Sequence, residues 1–358
     1  MRAMDGVRCM MMRGGTSKGA YFLRDDLPAD DEARDELLMR IMGTPDARQI
    51  DGIGGAHPLT SKVALVWGSD GSEADVEYLF LQVGVDQPFV TDRQNCGNLL
   101  AGVGPFAIER GVIAANGTEA SVRIHMINTD SVAIATFPVA GGMPVYAGDT
   151  AIAGVPGTAA TIRLDFTDIA GGSCGALLPT GRAVDMVAGT AVTLIDNGMP
   201  VVVLRAADLD VTGYEEPAEL EANEPLRSRL EDIRLQAGKL MNLGDVTSTT
   251  VPKLTLVAPP RDGGSISTRT FIPHRVHDAI GVLGAVSVAT AALLPDSPAH
   301  DVLEGGRDGL VVVEHPTGTF DASIDVRFAA DGSPEVGRAG IIRTARKLMD
   351  GVVFPRSY

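Results

Sequence analysis

The sequence predicts an α/β (α+β) protein of two similar halves, each a set of short strands around one buried helix. Three observations lead there. The chain has 358 residues, too many for one ordinary core and comfortable for two. Apolar residues make up 45 % of it and 42 residues are glycine, which fits a dense, tightly turned globule rather than a disordered chain. The layout of strand set, buried helix and strand set runs through the chain twice, and each buried helix opens at a glycine-rich turn.

The elements follow in order. "VRCMMMRGG" (7–15) reads as a first strand ending in a glycine turn, without the layout of a signal peptide. "DDEARDELLMRIMG" (30–43) reads as a helix with acids in its first turn and Gly43 near its end. "SKVALVWG" (61–68), "VEYLFLQVGV" (76–85) and "ASVRIHMIN" (120–128) read as strands, and "GNLLAGVGPFAIERG" (97–111) as the first buried helix. "VAIATFPV" (132–139) and "TAATIRLDF" (158–166) continue the sheet, and "GGSCGALLPTG" (171–181) has the composition of a boundary loop.

In the second half "GTAVTLIDNGMPVVVLRA" (189–206) is a strand pair interrupted at Asp196-Asn197-Gly198. "LRSRLEDIRLQAGKLM" (226–241) is an amphipathic helix with alternating charge on its outer face. "PKLTLVAP" (252–259) and "STRTFIP" (267–273) are strands, and "AIGVLGAVSVATAALLP" (279–295) is the second small-residue helix. "VEHPTGTFDASIDVRF" (313–328) and "GIIRTARKLMDGVVF" (340–354) supply closing strands. No clear repeat of sequence accompanies this repeat of layout.

Charge and cysteine usage narrow the function. A formal charge of −16 repels nucleic acid and anionic lipid, so neither is expected as a partner. A small anion needs a locally positive pocket. No apolar run reaches the length of a membrane span, and a cytoplasmic location is expected. Cys9, Cys96 and Cys174 are scattered and odd in number, so they form neither a disulfide framework nor a CxxC pattern.

Cys96 stands where the first buried helix begins. A thiol there faces unpaired N–H groups and about half a positive charge, which stabilise a thiolate; comparable settings bring a cysteine to a pKa of ~3.5–7.5. Gly97 lets the backbone approach a ligand closely, and Asn95 and Asn98 add amide donors. The same N–H groups would hold a carboxylate. A lone thiol is more often a buried structural residue, so location alone leaves both readings open.

Lys62 follows the glycines Gly52, Gly54 and Gly55 at the mouth of an apolar strand. Burial disfavours the charged form of an amine, which would suit it to act as a base; an ordinary strand-end lysine reaching water is the other reading. "MRGGTSKGAYF" gathers Arg13, Thr16, Ser17 and Lys18 with two glycines. It has the makings of an anion cradle, or of a tight turn, but its order is not that of a phosphate-binding Gly-Lys-Ser/Thr loop. "TRTFIPHRVH" offers Arg269 as a carboxylate clamp; its His274 and His277 are weak evidence for a metal, and none is expected. The absence of GxSxG, HExxH and GxGxxG with a downstream acid argues against a serine hydrolase, a zincin and a dinucleotide enzyme.

Taken together, "MRGGTSKG", "QIDGIGGAHPLTSKVA", "QNCGN", "GALLPTG", "IDNGMPVV", "MNLGDV", "FIPH", "GAVSVATA" and "RTARKLMDG" resemble the PrpF-like isomerases of the diaminopimelate epimerase fold superfamily. The resemblance covers nearly the whole chain in one order. It implies two pseudo-symmetric domains, each a curved β-sheet wrapped around a central helix, with the site between the halves at the two helix N-termini. Residues 1–182 with 342–358 would form the first domain and 183–341 the second. Epimerases of the superfamily place a cysteine before each buried helix. Here Cys96 matches the first, and Gly281 stands where the second would be.

That departure disfavours two-thiol racemisation of the diaminopimelate or proline kind. The resemblance points instead to Lys62 and Cys96 as the catalytic pair of a cofactor-independent 1,3-proton shift, or keto–enol shift. The implied substrate is an unsaturated oxo-tricarboxylate, 4-oxalomesaconate, in microbial breakdown of gallate- or protocatechuate-type aromatics. Arg13, Thr16, Ser17, Lys18, Ser61, Asn95, Gly97, Asn98, Met199, Arg269, His274, Gly281, Leu283 and Gly284 are the implied substrate-binding residues. Rival expectations are a 2-methylaconitate cis–trans isomerase and a non-catalytic binder of small carboxylates. A homodimer is compatible with each.

Overall fold

The computed structural model describes residues 6–92, 96–167, 169–306 and 308–357. The chain divides into two compact units, residues 1–165 with 343–358 and residues 166–342. Of the expected site residues, Asn95 lies outside those described.

Unit 1 contains β1 (Val7–Gly14), β2 (Ser17–Leu23), α1 (Asp31–Met42), β3 (Lys62–Gly68), β4 (Val76–Val83), β5 (Val90–Thr91), α2 (Gly97–Glu109), β6 (Glu119–Met126), β7 (Ser131–Ala140), β8 (Met143–Pro144) and β9 (Thr161–Phe166). Strands β1 and β2 pair antiparallel, β2 and β3 parallel, β3 and β4 antiparallel, β4 and β6 parallel, β6 and β7 antiparallel. Each parallel pair needs a crossover, and a helix supplies it: α1 between β2 and β3, α2 between β4 and β6. Asp30 caps α1 by accepting from the Ala33 amide at 2.9 Å, and Gly43, at φ 84°, ends it in the left-handed region.

Strand alternation then sorts the side chains. Cys9, Met11, Ala20, Phe22, Val63, Leu65, Leu81 and Val83 form one core with Leu38, Ile41 and Met42 of α1. Each large apolar side chain so buried contributes about 1.5–3 kcal/mol. The residues between them on the strands, among them Gly19, Tyr21, Lys62, Phe80 and Gln82, point to the opposite face. That face holds α2, buried along nearly its whole length and packed on β1, β2, β3, β4, β6 and β8. Glycine permits the tight fit: a Cβ on Gly102 would stand 2.5 Å from the Tyr21 hydroxyl.

Unit 2 contains β10 (Asp185–Val187), β11 (Thr190–Asp196), β12 (Pro200–Arg205), α3 (Pro217–Ala222), α4 (Glu224–Leu240), β13 (Lys253–Ala258), β14 (Ile266–Ile272), β15 (Arg275–Val276), α5 (Val282–Leu293), β16 (Leu310–His315), β17 (Gly318–Phe328) and the first part of β18 (Pro334–Val353). The pairing repeats that of unit 1: β11 and β12 antiparallel, β12 and β13 parallel, β13 and β14 antiparallel, β14 and β16 parallel, β16 and β17 antiparallel. One face carries α3 and α4, whose Leu220, Leu226, Leu230, Ile233 and Ala237 share a core with Leu194, Val202, Leu204, Leu254 and Leu256. The other face carries α5, which packs on β11, β12, β16 and β17. Strand β18 serves each unit in turn, pairing with β17 and then, past the boundary at Arg343, with β1.

One expectation changes, and one open alternative closes on a tight turn. The loop 171–181 was expected in the first domain, and it packs in unit 2. The amides of Ser173 and Cys174 donate to Asp196 Oδ2 at 2.8 and 2.9 Å, the Asp196 amide donates to the Leu177 carbonyl at 2.9 Å, and Asn242 Nδ2 donates to the Cys174 carbonyl at 3.0 Å. A buried aspartate on β11 thus fixes the loop, and the boundary stands at 165 rather than 182. The segment read as a cradle loop is the tip of the β1–β2 hairpin, with Gly14 opposite Ser17. No helix among the described residues is long and apolar enough to cross a membrane.

Candidate active site

Lys62 is the first residue of β3, and alternation places it on the α2 face. It is 7 % exposed. Its Nζ donates to Gln82 Oε1 at 2.9 Å and stands 4.9 Å from the centroid of the Phe80 ring. Among the described residues it forms no ion pair. A buried lysine is usually paired with a carboxylate; this one meets a neutral amide and an aromatic face.

Cys96 is the N-cap of α2, with extended backbone, and is 8 % exposed. No acid occupies the first turn of α2, so its N-terminal amides and partial positive charge are left for something else. Two phenols hold this turn from below: Tyr21 donates to the Leu99 carbonyl at 2.5 Å and Tyr78 to the Cys96 carbonyl at 3.4 Å. Burial, and then the charge Cys96 would carry, hold both phenols well above the usual tyrosine range. They stay protonated and keep donating. Gly19 sits between the Lys62 backbone and the first turn of α2: a Cβ there would lie 2.7 Å from the Lys62 carbonyl and 2.8 Å from Leu99 Cδ2.

The hairpin tip lies against the same turn of α2. Asn98 Nδ2 donates to Thr16 Oγ1 at 3.0 Å, and a Cβ on Gly14 would lie 2.4 Å from the Asn98 carbonyl. Ser17 Oγ and Asn98 Oδ1 are buried without a hydrogen-bond partner among the described residues. Such orphans are rare in folded chains and mark a place where a ligand or water completes the set. Three cations stand side by side on neighbouring strands, since Arg13 faces Lys18 on β2 and Arg346 on β18. None forms an ion pair among the described residues. Like charges placed opposite one another are destabilising unless an anion joins them. Arg13 also donates through Nη1 to the carbonyls of Gly15 and Thr344, both at 2.9 Å. Burial first, then Arg346, lowers its hold on its proton.

In unit 2, Met199, Gly281, Leu283 and Gly284 come together. Ser287 of α5 donates to the Met199 carbonyl at 2.8 Å, and Gly281 is the N-cap of α5. A Cβ on Gly198, which has φ 84°, would lie 3.2 Å from Leu283 Cδ2.

Three expected site residues are committed elsewhere. Arg269 is no open clamp: its guanidinium donates to the carbonyls of Glu215 (2.7 Å), Thr268 (2.9 Å) and Tyr214 (3.0 Å), so it straps the loop before α3. His274 is exposed, with Nδ1 4.0 Å from Glu231 on α4, on the face away from α5. The Ser61 hydroxyl is fully buried and donates to Gln49 Oε1 at 2.5 Å, which secures the glycine loop before Lys62.

Two residues escaped the sequence reading. Gln82 is one, because nothing in an alternating strand marks one glutamine as the partner of a lysine. Lys253 is the other. It is the first residue of β13, half-buried, without hydrogen bond or ion pair among the described residues, and 3.8 Å from where a Cβ on Gly281 would be. Burial lowers its pKa. Burial and then Lys253 lower that of His277 beside it. The signal was present: "TSKVALV" and "VPKLTLV" both open a buried strand with lysine.

Comparison with known proteins agrees with this architecture. The family described as PrpF protein matches residues 4–356. The chain is 62 % identical to the (4E)-oxalomesaconate Delta-isomerase of a Novosphingobium strain, over 99 % of this chain and 98 % of that one. It is 56 % identical to the 4-oxalomesaconate tautomerase of Pseudomonas putida, over 97 % of this chain and 95 % of that one. The crystal structure of a methylitaconate-delta-isomerase superimposes with a TM-score of 0.86 at 34 % identity, covering 98 % of this chain and 96 % of that one. The family match across residues 4–356 and these identities over nearly the whole chain place the protein in the PrpF family.

Proposed function

We propose that the protein is an isomerase that shifts a proton within 4-oxalomesaconate without a cofactor, in the breakdown of aromatic acids. The observation that carries this reading is the buried Lys62 amine, which has no carboxylate partner among the described residues and stands on the face of the sheet that holds the thiol-bearing start of α2. The two relatives named for 4-oxalomesaconate support the substrate.

In the proposed reaction the Lys62 amine removes a proton from a carbon made acidic by the adjacent carbonyl and conjugated alkene. The electron pair of that C–H bond enters the π system, and negative charge gathers on the enolate oxygen. Cys96 gives a proton to the far carbon of the allylic unit, the double bond shifts, and the proton on Lys62 returns to Cys96 through solvent. Atoms and charge balance, and product and substrate are isomers. The α2 amides stabilise the enolate; loss of one such donor in other enzymes costs about 3–4 kcal/mol. The Ser17 hydroxyl at the first turn of α2 serves a substrate carboxylate, and Arg13, Lys18 and Arg346 at the hairpin tip add positive potential.

The experiment is to assay 4-oxalomesaconate and 2-methylaconitate side by side. Turnover of the first more efficient by about ten-thousandfold or more is expected, the margin of a site whose polar groups the wrong substrate leaves unpaired. Equal turnover of both, or tight binding without turnover of either, would refute the assignment.

A further inference from the structure

We infer that Gln82 is a positioning residue for the Lys62 amine. The two residues are direct partners across β3 and β4, and both are buried on the α2 face. Gln82 Nε2 is held by three carbonyls, those of Pro58 (3.1 Å), Ser61 (3.0 Å) and Val83 (3.2 Å). A carbonyl only accepts, so a reversed amide would set Oε1 against three oxygens. The side chain therefore has one orientation, with Oε1 aimed at Lys62 Nζ 2.9 Å away.

This fixes an otherwise floppy group. A lysine ammonium has three equivalent donors on a flexible stem, and the neutral amine has two and a lone pair. Once one N–H is anchored on Oε1 and the Phe80 ring closes one side, the lone pair of the amine can sweep only the remaining arc. The same amide ties the turn at Pro58–Thr60 to β4, so the backbone that carries Lys62 is held by the residue that aims its amine. Unit 2 has no equivalent: beyond the Leu254–Phe271 pair the strand neighbour of Lys253 is Ile272.

The inference rests on Lys62 acting as the base, and the test separates the two. The pH dependence of kcat and KM for 4-oxalomesaconate is measured for the full-length wild type, Gln82→Met, Gln82→Glu and Lys62→Met. Gln82→Met is expected to lower kcat by about tenfold to a hundredfold, the cost of a misplaced group, with KM within about twofold. Its acidic limb moves to lower pH, because the ammonium has lost its acceptor. Gln82→Glu moves the limb to higher pH, because a carboxylate favours the ammonium. Should Gln82→Met fail to fold, Gln82→Asn, an amide one methylene shorter, carries the test, with the same fall in kcat and the same direction of its limb expected. Folded variants whose limbs stay at the wild-type pH, with an inactive Lys62→Met, overturn the positioning role alone. A Lys62→Met variant that keeps turnover overturns both.

Discussion

The starts of α2 and α5 are topological counterparts with different equipment. Each follows the second antiparallel strand pair of its unit, lies against a hairpin tip, and faces a strand that opens with lysine. At α2 the N-cap is Cys96 and the lysine is buried on an amide. At α5 the N-cap is Gly281 and the lysine is half-buried with no acceptor among the described residues. In the proposed reaction the start of α2 supplies the chemistry, while the start of α5 offers donors and a cation. Proton transfer needs a positioned group of matched affinity, whereas holding a carboxylate needs only positive potential.

The largest effect expected from this contrast is at Lys62. Lys62→Met should lower kcat/KM by about a thousandfold or more, the scale of a lost general base, in steady-state assays of a variant with native circular dichroism. Near-normal turnover would erase the distinction between the two lysines. Cys96→Ser should cost on the order of a hundredfold, since a hydroxyl is a poorer acid than a thiol but fits the same cap. Activity within twofold of wild type would make Cys96 a packing residue.

Backbone crowding comes next. Gly15, at φ 51°, would bring a Cβ within 2.2 Å of Asn98 Oδ1, whereas Gly281, at φ −68°, leaves a Cβ in ordinary contact. Gly15→Ala should therefore lose about 1–3 kcal/mol in denaturant unfolding and Gly281→Cys less than about 0.5. Equal losses would deny the difference.

The smallest effect is at Lys253. Its folded pKa is lowered, so the unfolded chain holds the proton more tightly, and the lysine opposes folding at neutral pH. That penalty fades as the pH rises through the unfolded value of 10.5. Lys253→Met should accordingly raise Tm near pH 7 and lose this advantage near pH 11, while KM rises about tenfold. An unchanged KM would leave Lys253 without a part in binding.

Much of the architecture was legible because it follows from local chemistry. The apolar run "KVALVW" predicts β3 with Lys62 at its mouth, and Asp30 with Gly43 brackets α1. The Cys96 position was legible because a glycine turn before an apolar run marks a helix start. What escaped depended on distant partners. Asp196 draws the loop 171–181 into unit 2 through amides that carry no sequence signature. Arg269 spends its guanidinium on carbonyls in a loop that only the fold brings to it. The repeat of layout was legible, but no repeat of sequence accompanies it, because the strand pairing recurs in both units while the residues at the helix starts differ.

The most direct test of a two-group transfer is proton NMR of 4-oxalomesaconate turned over in heavy water. With the Lys62 amine taking the proton and the Cys96 thiol delivering another, each product molecule should carry one solvent deuteron at the newly protonated carbon. Product that retains the substrate's own hydrogen there would mean that a single group carries the proton across, and would contradict the account.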